Sequence, residues 1–379
     1  MSRFARWWMT RAIDKSIGDS PAGKHEWKLM DSPDRPDCVS KDREAAIQET
    51  ETGTRFVRTP EERFKNLPDY PFNPHYAPID GMRMHYADEG PRDGDIVLML
   101  HGQPTWSYLY RKMIPPLAAA GYRTIAADHI GMGRSDKPID LSFHTYELHI
   151  QRLKQFIAML DLTDITLFCQ DWGGVMGLRV VGDLPDLFAR VVAANTTLPV
   201  IPKGMNPFRV PNPVKINCEV GAFVKPTDYS VARGTWATTF QKWILYALTA
   251  PNFTPSQVVN AMAVNKLTPE VAGAYDAPYP SMVYKAAVRT FPSMIAAIEN
   301  QNAPAWKALG TFKKPFLFLA GKRDENQGSE ANQKRLTEHV PGAQGQPHER
   351  FEAGHFIQED IGETLAAKTI RFLVDNPLP

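Results

Sequence analysis

Residues 165–180 read ITLFCQDWGGVMGLRV, and they are the most informative segment of the chain. The apolar run at 165–168 is typical of a buried strand, and residues 175–180 are typical of a helix. Asp171 lies between the two, followed after one tryptophan by a pair of glycines. The stretch therefore predicts a strand, a sharp turn with a carboxylate at its apex, and a helix.

A strand-to-helix turn of this form is the nucleophile elbow of the α/β-hydrolases, which presents the catalytic residue on a strained turn. Here the apex residue is Asp171 rather than a serine. A carboxylate needs no base to activate it, and it forms an ester with an alkyl carbon. We therefore expect a substrate with a leaving group on an sp³ carbon, such as an alkyl halide or an epoxide.

The segments on both sides of the elbow alternate between strand and helix patterns. Strands buried on both faces of a parallel sheet have continuous apolar sequences, whereas amphipathic helices repeat apolar residues every three to four positions. This alternation predicts an α/β fold with a mostly parallel sheet flanked by helices. Strand patterns lie at residues 82–86, 96–100, 124–127, 165–168, 191–194, 315–319 and near 350, and helix patterns lie at 108–120, which Pro115 and Pro116 interrupt, 146–160, 330–339 and 363–374.

The alternation stops after residue 195 for about 100 residues, which are rich in proline and aromatic side chains. An insertion that follows one strand and precedes the next is typical of a lid. We therefore predict an α/β-hydrolase core at residues 56–195 and 300–379, with an inserted helical cap domain at residues 196–299.

Residues 1–55 form an extension in front of this core. The first 17 residues are basic and carry aromatic residues at helical spacing, as does an amphipathic helix that lies on a membrane surface. A helix packed on its own domain, or a frayed extension, fits this pattern and is the interpretation we favour, with weak membrane contact as the alternative. Residues 18–55 are polar and carry charges of both signs, which predicts a poorly structured linker.

The composition narrows the class of protein. The chain has 379 residues, a formal net charge of +1 and 22% charged residues, so its charge does not indicate nucleic acid as a partner. Its three cysteines, Cys38, Cys169 and Cys218, are scattered, which argues against a disulfide framework and favours a reducing compartment. The sequence has no apolar run of membrane-spanning length and no metal-binding motif. We therefore expect a cytoplasmic protein without cofactor or metal.

Two further residues complete a nucleophile, acid and base set with Asp171. Asp324 follows the strand pattern at 315–319 in the sequence GKRD, and His355 stands in the sequence AGHF. Nucleophile, acid and histidine follow one another in this order in α/β-hydrolases. We expect His355 to act as the base and Asp324 to orient it, with the adjacent Glu325 as the alternative acid.

The expected reaction needs hydrogen-bond donors for two developing charges. In this fold the oxyanion binds two backbone N–H groups, one in the loop after an early strand and one just after the nucleophile, here Gln103 and Trp172. The indole N–H of Trp172 can also hold a departing halide, because it donates and cannot compete as a base. For the second halide donor we choose Trp243, with Trp236 and the side-chain amide of Gln103 as alternatives.

The substrate pocket should lie between the sheet edge and the cap. Such a pocket suits a small apolar halogenated substrate. Besides the two tryptophans, its predicted lining consists of Val175, Phe240, Phe291, Pro292 and Ile295.

Taken together, these motifs resemble those of the haloalkane dehalogenases. The resemblance runs from about residue 57 to the C-terminus and is closest to the branch in which two tryptophans hold the halide. The matching stretches are RTPEERF at 58–64, HGQPTWSYLYR at 101–111, QDWGG at 170–174, VRTFP at 288–292 and AGHFIQE at 353–359.

The resemblance implies hydrolysis of a haloalkane to a primary alcohol and a halide ion through a covalent alkyl-aspartate ester. The family's nucleophile, acid and base fall on Asp171, Asp324 and His355, and its halide donors fall on Trp172 and Trp243. The chain departs from that branch in two places. Gln103 stands where the branch is acidic, and the amides at 326–327 stand where it carries apolar pocket residues, so we expect a wider or more polar site.

Two other functions compete with this one. An epoxide hydrolase uses the same aspartate nucleophile but needs cap tyrosines to protonate the opening oxygen, and the pair of tryptophans argues against it. A binding protein that keeps the fold as a ligand pocket is disfavoured by the complete nucleophile, acid and base set. The tyrosines that could serve an epoxide hydrolase are Tyr246, Tyr275, Tyr279 and Tyr284.

Overall fold

The computed structural model describes residues 45–205, 240, 243–244, 246–248, 250 and 253–378. The predicted amphipathic segment and Trp236 lie outside these residues. The strands are β1 Ile47–Glu49, β2 Arg55–Val57, β3 His75–Ile79, β4 Met82–Glu89, β5 Ile96–Leu100, β6 Arg123–Ala127, β7 Lys137–Pro138, β8 Ile165–Gln170, β9 Phe188–Ala194, β10 Phe316–Gly321 and β11 Glu349–Phe351.

The main sheet has eight strands in the order β11-β10-β9-β8-β5-β6-β4-β3. The six strands from β11 to β6 run parallel, whereas β4 pairs antiparallel with β6 and β3 pairs antiparallel with β4. The register pairs Leu100 at the end of β5 with Cys169 near the end of β8. The loops after these two central strands therefore meet at the same edge of the sheet.

Helices cover both faces of the sheet. Alternate residues of β5 belong to two separate apolar clusters: Leu98 packs with the helices at 146–159 and 172–183, and Met99 packs with the helices at 114–119 and 357–375. Burial on both faces explains why these strands have continuous apolar sequences. The helices are α1 Ile114–Ala119, α2 Tyr146–Met159, α3 Trp172–Asp183, α4 Pro255–Met262, α5 Pro269–Asp276, α6 Ala286–Thr290, α7 Ala303–Leu309, α8 Glu330–His339 and α9 Ile357–Asp375.

This architecture confirms the predicted α/β fold, but two helix boundaries differ from the prediction. Pro115 and Pro116 do not interrupt a helix; they stand in the first turn of α1, where a residue without an N–H is tolerated. The last helix begins at Ile357 rather than near 363, with a non-helical residue at Ile361.

The last part of the predicted linker is ordered. Ile47–Glu49 pairs antiparallel with Arg55–Val57, and β2 continues into a small sheet with β7. Phe56 and Val57 are buried, whereas the three residues of β1 are exposed. The sequence did not predict this hairpin, because the segment is polar with charges of both signs and only two of its apolar side chains, Phe56 and Val57, are buried.

The cap segment lies between β9 and β10 in the sequence and includes α4, α5 and α6. It is tied to the core by hydrogen bonds from core side chains to cap carbonyls, such as Trp106 Nε1 to Ala274 at 3.2 Å and Thr59 Oγ1 to Pro278 at 2.7 Å. None of the described helices has both the length and the apolar content needed to cross a membrane.

Candidate active site

The predicted elbow is present at the carboxyl end of β8. Asp171 has φ +50° and ψ −126° between the strand and α3, and such a backbone is strained for a residue with a side chain. Its carbonyl accepts hydrogen bonds from the N–H groups of Gly174 and Val175 at 3.0 Å each. A methyl group on Gly173 would lie 2.1 Å from the carbonyl oxygen of Leu100, so glycine is needed where the helix begins.

The structure brings the predicted nucleophile, acid and base together. His355 Nδ1 lies 2.7 Å from Oδ2 of Asp324, and its Nε2 lies 3.6 Å from Oδ2 of Asp171. All three side chains are buried. Oδ1 of Asp324 accepts the N–H groups of residues 326 and 327 at 3.1 Å each, which fixes the carboxylate. The alternative acid, Glu325, is exposed.

The two carboxylates dominate the electrostatics of His355. Burial lowers the pKa of the imidazole, but the charges and hydrogen bonds of Asp324 and Asp171 outweigh burial and raise the pKa to about 10. The free site therefore favours an imidazolium between two carboxylates.

One predicted oxyanion donor is already hydrogen-bonded to the nucleophile. The backbone N–H of Gln103 donates to Oδ1 of Asp171 at 2.8 Å. The side-chain amide of Gln103 donates to the carbonyl of Val288 at 2.6 Å, so one of its hydrogens is already used. Trp172 is the first residue of α3, where N–H groups have no partner within the helix.

Both tryptophans chosen for the halide line one cavity. Trp172 and Trp243 are buried, and neither indole nitrogen donates to a protein group in the described part of the chain. The buried Trp106, by contrast, donates its indole N–H to a carbonyl. The cavity is therefore lined by two tryptophans whose indole N–H groups have no acceptor among the described residues.

The cavity has a volume of about 470 Å³ and two kinds of wall. Its apolar wall includes Val175, Phe240 and Ile295, as the sequence predicted. The prediction that Phe291 and Pro292 line the cavity is wrong: both are buried but lie outside its lining. Phe291 packs instead edge-on against Trp172, with ring centroids 5.7 Å apart, and so supports the indole. The polar wall consists of Thr197, Asn326, Gln327, Ser329, Asn332 and Arg335.

Sequence reasoning missed two amide side chains at the reacting groups. Gln327 Nε2 donates to Oδ2 of Asp171 at 3.1 Å. Gln170 Nε2 donates to the carbonyl of His355 at 3.1 Å and lies 3.1 Å from its Nε2. The sequence indicated only that position 327 is unusually polar. The contact with Asp171 could not be predicted, because it depends on how the loop after β10 folds back, held by the hydrogen bond from the backbone N–H of Gln327 to Asp324.

The tyrosines that an epoxide hydrolase would need do not reach the cavity. None of Tyr246, Tyr275, Tyr279 and Tyr284 is among the described residues that line it. The hydroxyl of Tyr275 donates to Glu359 at 2.5 Å, and that of Tyr279 accepts the N–H of Gly133 at 3.4 Å.

Comparison with known proteins agrees with this geometry. A family model for the alpha/beta hydrolase fold matches residues 95–360. A haloalkane dehalogenase of Mycobacterium marinum is 43% identical over 324 residues, which are 83% of this chain and 98% of the relative. A haloalkane dehalogenase of Psychrobacter cryohalolentis is 41% identical over 335 residues, which are 85% of this chain and 99% of the relative.

A solved structure gives the same result. The haloalkane dehalogenase DpaA from Paraglaciecola agarilytica NO2 superposes with a TM-score of 0.68 at 33% identity, covering 83% of this chain and 97% of that one. Sequence and fold thus agree over most of the length of each relative. The chain belongs to the haloalkane dehalogenases, hydrolases that act on carbon–halide bonds.

Proposed function

We propose that this chain hydrolyses haloalkanes through a covalent alkyl ester on Asp171, in the manner of the branch with two halide-binding tryptophans. The observation that carries the proposal is the position of His355 between two carboxylates, 2.7 Å from Asp324 and 3.6 Å from Asp171. One carboxylate orients the base, and the other is the nucleophile whose ester the base must help to hydrolyse.

In the first step, one carboxylate oxygen of Asp171 attacks the halogen-bearing carbon. Oδ1 accepts the backbone N–H of Gln103, one of the two predicted oxyanion donors, so we assign it as the ester carbonyl oxygen and Oδ2 as the oxygen that attacks. The carbon–halogen bond breaks, and the halide leaves with the bonding electron pair. The indole N–H groups of Trp172 and Trp243 donate to the halide as its charge develops.

In the second step, His355 removes a proton from a water molecule that attacks the carbonyl carbon of the ester. Ester formation has removed the negative charge of Asp171, so the pKa of His355 falls, the imidazolium loses its proton to solvent, and the neutral imidazole can act as a base. Asp324 keeps the ring oriented and stabilises the imidazolium that forms. The N–H groups of Gln103 and Trp172 stabilise the oxyanion, and the products are a primary alcohol, a halide ion and a proton.

Replacing the base separates the two steps. In a His355→Ala variant, 1-bromobutane should release about one equivalent of bromide per site and then stop. Mass spectrometry of the digested protein should find a butyl group on the peptide that contains Asp171. An Asp171→Asn variant serves as the control and should release no bromide burst.

The experiment has a clear opposite outcome. Steady turnover by the His355→Ala variant, or a burst without added mass on Asp171, would contradict the proposed division of roles. Release of a diol from epoxides without halide release from bromoalkanes would favour an epoxide hydrolase. Absence of any covalent intermediate with reactive bromoalkanes would favour a binding protein.

A further inference from the structure

The two carboxylate oxygens of Asp171 have different hydrogen-bond donors. Oδ1 accepts the backbone N–H of Gln103 at 2.8 Å, the donor that we assign to the oxyanion. Oδ2 accepts the side-chain N–H of Gln327 at 3.1 Å and lies 3.6 Å from Nε2 of His355. One oxygen thus meets an oxyanion donor, and the other meets an amide donor together with the base.

The oxygen that attacks in the first step is the oxygen that leaves in the second. In the reaction proposed above, Oδ2 of Asp171 becomes the ester oxygen that carries the alkyl group. When water attacks the ester carbonyl, the bond between Cγ and Oδ2 breaks, and Oδ2 departs within the alcohol. An alkoxide is a poor leaving group, so the negative charge that develops on Oδ2 has to be stabilised as this bond breaks.

The hydrogen bond from Gln327 is compatible with the ester. A carboxylate oxygen has two lone pairs, so Oδ2 of Asp171 can bond to carbon with one and accept the amide N–H with the other. The side chain of Asp171 is buried, and a hydrogen bond to a developing charge is stronger there than in water. The carboxamide thus lies where it can stabilise the leaving oxygen.

The backbone around Gln327 is held in place. Its N–H donates to Oδ1 of Asp324 at 3.1 Å, and its carbonyl accepts Nδ2 of Asn332 at 2.6 Å. Asn332 donates in turn to the carbonyl of Thr196 at 2.8 Å. Asp324 also holds the ring of His355 through its other oxygen. One carboxylate therefore positions both groups that face Oδ2 of the nucleophile.

We propose that Gln327 is a catalytic residue of ester hydrolysis, whose side-chain N–H stabilises the alkoxide oxygen as the ester of Asp171 breaks. This inference rests on the proposed function of Asp171. The same hydrogen bond withdraws charge from Oδ2 in the free enzyme, so it makes the carboxylate a weaker nucleophile in the first step. Gln327 therefore favours the second step at the expense of the first.

The second step balances without any further reactant. The oxygen of water bonds to Cγ of Asp171, and one proton of water goes to Nε2 of His355. As the bond between Cγ and Oδ2 breaks, its electron pair goes to Oδ2, which takes that proton and leaves as the alcohol. The second proton of water is released to solvent, and Asp171 is again a carboxylate that contains the oxygen of water.

Single-turnover kinetics with 1-bromopropane measure the two steps separately. In a Gln327→Leu variant, bromide should be released as fast as in the wild type or faster, whereas propanol release should be about tenfold slower or more. Gln327→Met also lacks the N–H and should behave in the same way. Gln333→Leu, on α8 outside the lining of the cavity, should leave both steps unchanged.

The dependence on the leaving alcohol distinguishes stabilisation of the leaving oxygen from positioning. With 1-bromo-2-fluoroethane the ester has nearly the same size as the propyl ester, but its alcohol leaves more readily because fluorine withdraws electrons. Loss of the Gln327 N–H should therefore slow hydrolysis of the propyl ester more than hydrolysis of the fluoroethyl ester. In the wild type the two esters should be hydrolysed at similar rates.

Each contrary result has its own meaning. Equal slowing of both esters would mean that Gln327 only positions the carboxylate or the water, and would overturn the inference, as would unchanged hydrolysis or a lost bromide burst in both variants. A wild-type enzyme that strongly prefers the fluoroethyl ester overturns it without any variant. A single turnover in oxygen-labelled water should label Asp171 and leave the alcohol unlabelled, and a labelled alcohol would overturn the proposed function as well.

Discussion

Gly102 and Asp171 are so close that a side chain on the glycine would overlap the nucleophile. A methyl group on Gly102 would lie 2.3 Å from both Cβ and Oδ1 of Asp171. The next residue, Gln103, places its N–H 2.8 Å from Oδ1. The missing side chain therefore lets the loop after β5 close over the carboxylate.

Replacing this glycine should damage catalysis more than stability. In Gly102→Ala the loop or the carboxylate must move by about an ångström, which lowers kcat about 100-fold. Halide release and thermal unfolding should be measured together. Gly273→Ala is the matched control, because a methyl group there meets no atom within 4 Å. Near-normal activity of Gly102→Ala would show that Asp171 does not need this close fit.

The pH behaviour of His355 should depend on both carboxylates. Its folded pKa, about 10, lies above the ordinary value of 6.5, so its contribution to stability is complete below about 6.5 and is lost as pH rises through 10. In Asp324→Asn one of the two charges is removed, so the folded pKa falls and this loss begins at lower pH. NMR titration of the ring and denaturant unfolding between pH 6 and 10.5 measure both effects.

The same substitution should slow ester hydrolysis. Without the Asp324 carboxylate the ring loses its orientation and the stabilisation of its charged form, which lowers the rate of the second step at least about 100-fold. The first step should still release a burst of halide. An unchanged titration of His355 in Asp324→Asn would rule out Asp324 as the residue that sets the pKa.

The two indole donors should each contribute to halide release. Trp172→Phe and Trp243→Phe keep an aromatic ring but lose the N–H, so each should weaken bromide binding and slow the first step about 100-fold. Calorimetric titration with bromide and single-turnover kinetics measure these effects. Trp306→Phe, at a ring stacked on His339 outside the cavity, is the control. Unchanged binding in Trp243→Phe would place the second donor at Trp236 or Gln103.

The buried ion pair of Arg111 and Glu359 should matter to stability. Glu359 accepts both terminal nitrogens of Arg111 and the hydroxyl of Tyr275, and so connects the loop before α1, α9 and the cap. Glu359→Gln leaves a buried guanidinium without its counter-charge, which should cost about 3–5 kcal/mol in the free energy of unfolding.

Urea unfolding measures this loss of stability, and an exposed ion pair on the same helix serves as the control. Arg371 and Asp375 pair on the surface of α9, so Asp375→Asn should cost less than about 1 kcal/mol. Equal losses in the two variants would contradict the prediction, because the buried pair of Arg111 and Glu359 would then contribute no more to stability than the exposed pair.

Much of the fold could be predicted because its evidence is local. The apolar run at 96–100 indicates a buried strand within five residues, and the elbow at Asp171 lies within a single turn. Proline positions were harder to interpret, since Pro115 and Pro116 look like helix breakers until the true start of α1 is known. The hairpin of β1 and β2 was not predicted, because it is stabilised by strand pairing and its amino-acid composition is that of a polar linker.

Short sequence patterns were enough to predict the parallel sheet, the aspartate at its elbow and the chain order of nucleophile, acid and base, because each is encoded in a few neighbouring residues. The edge-on contact of Phe291 with Trp172 and the hydrogen bond of Gln327 to Asp171, in contrast, follow from the packing of distant segments in the folded chain. Gln327 and Asp171 are 156 positions apart, and their contact exists only because the loops after β8 and β10 meet at one edge of the sheet. Contacts of that range depend on strand order and register, which no local pattern contains.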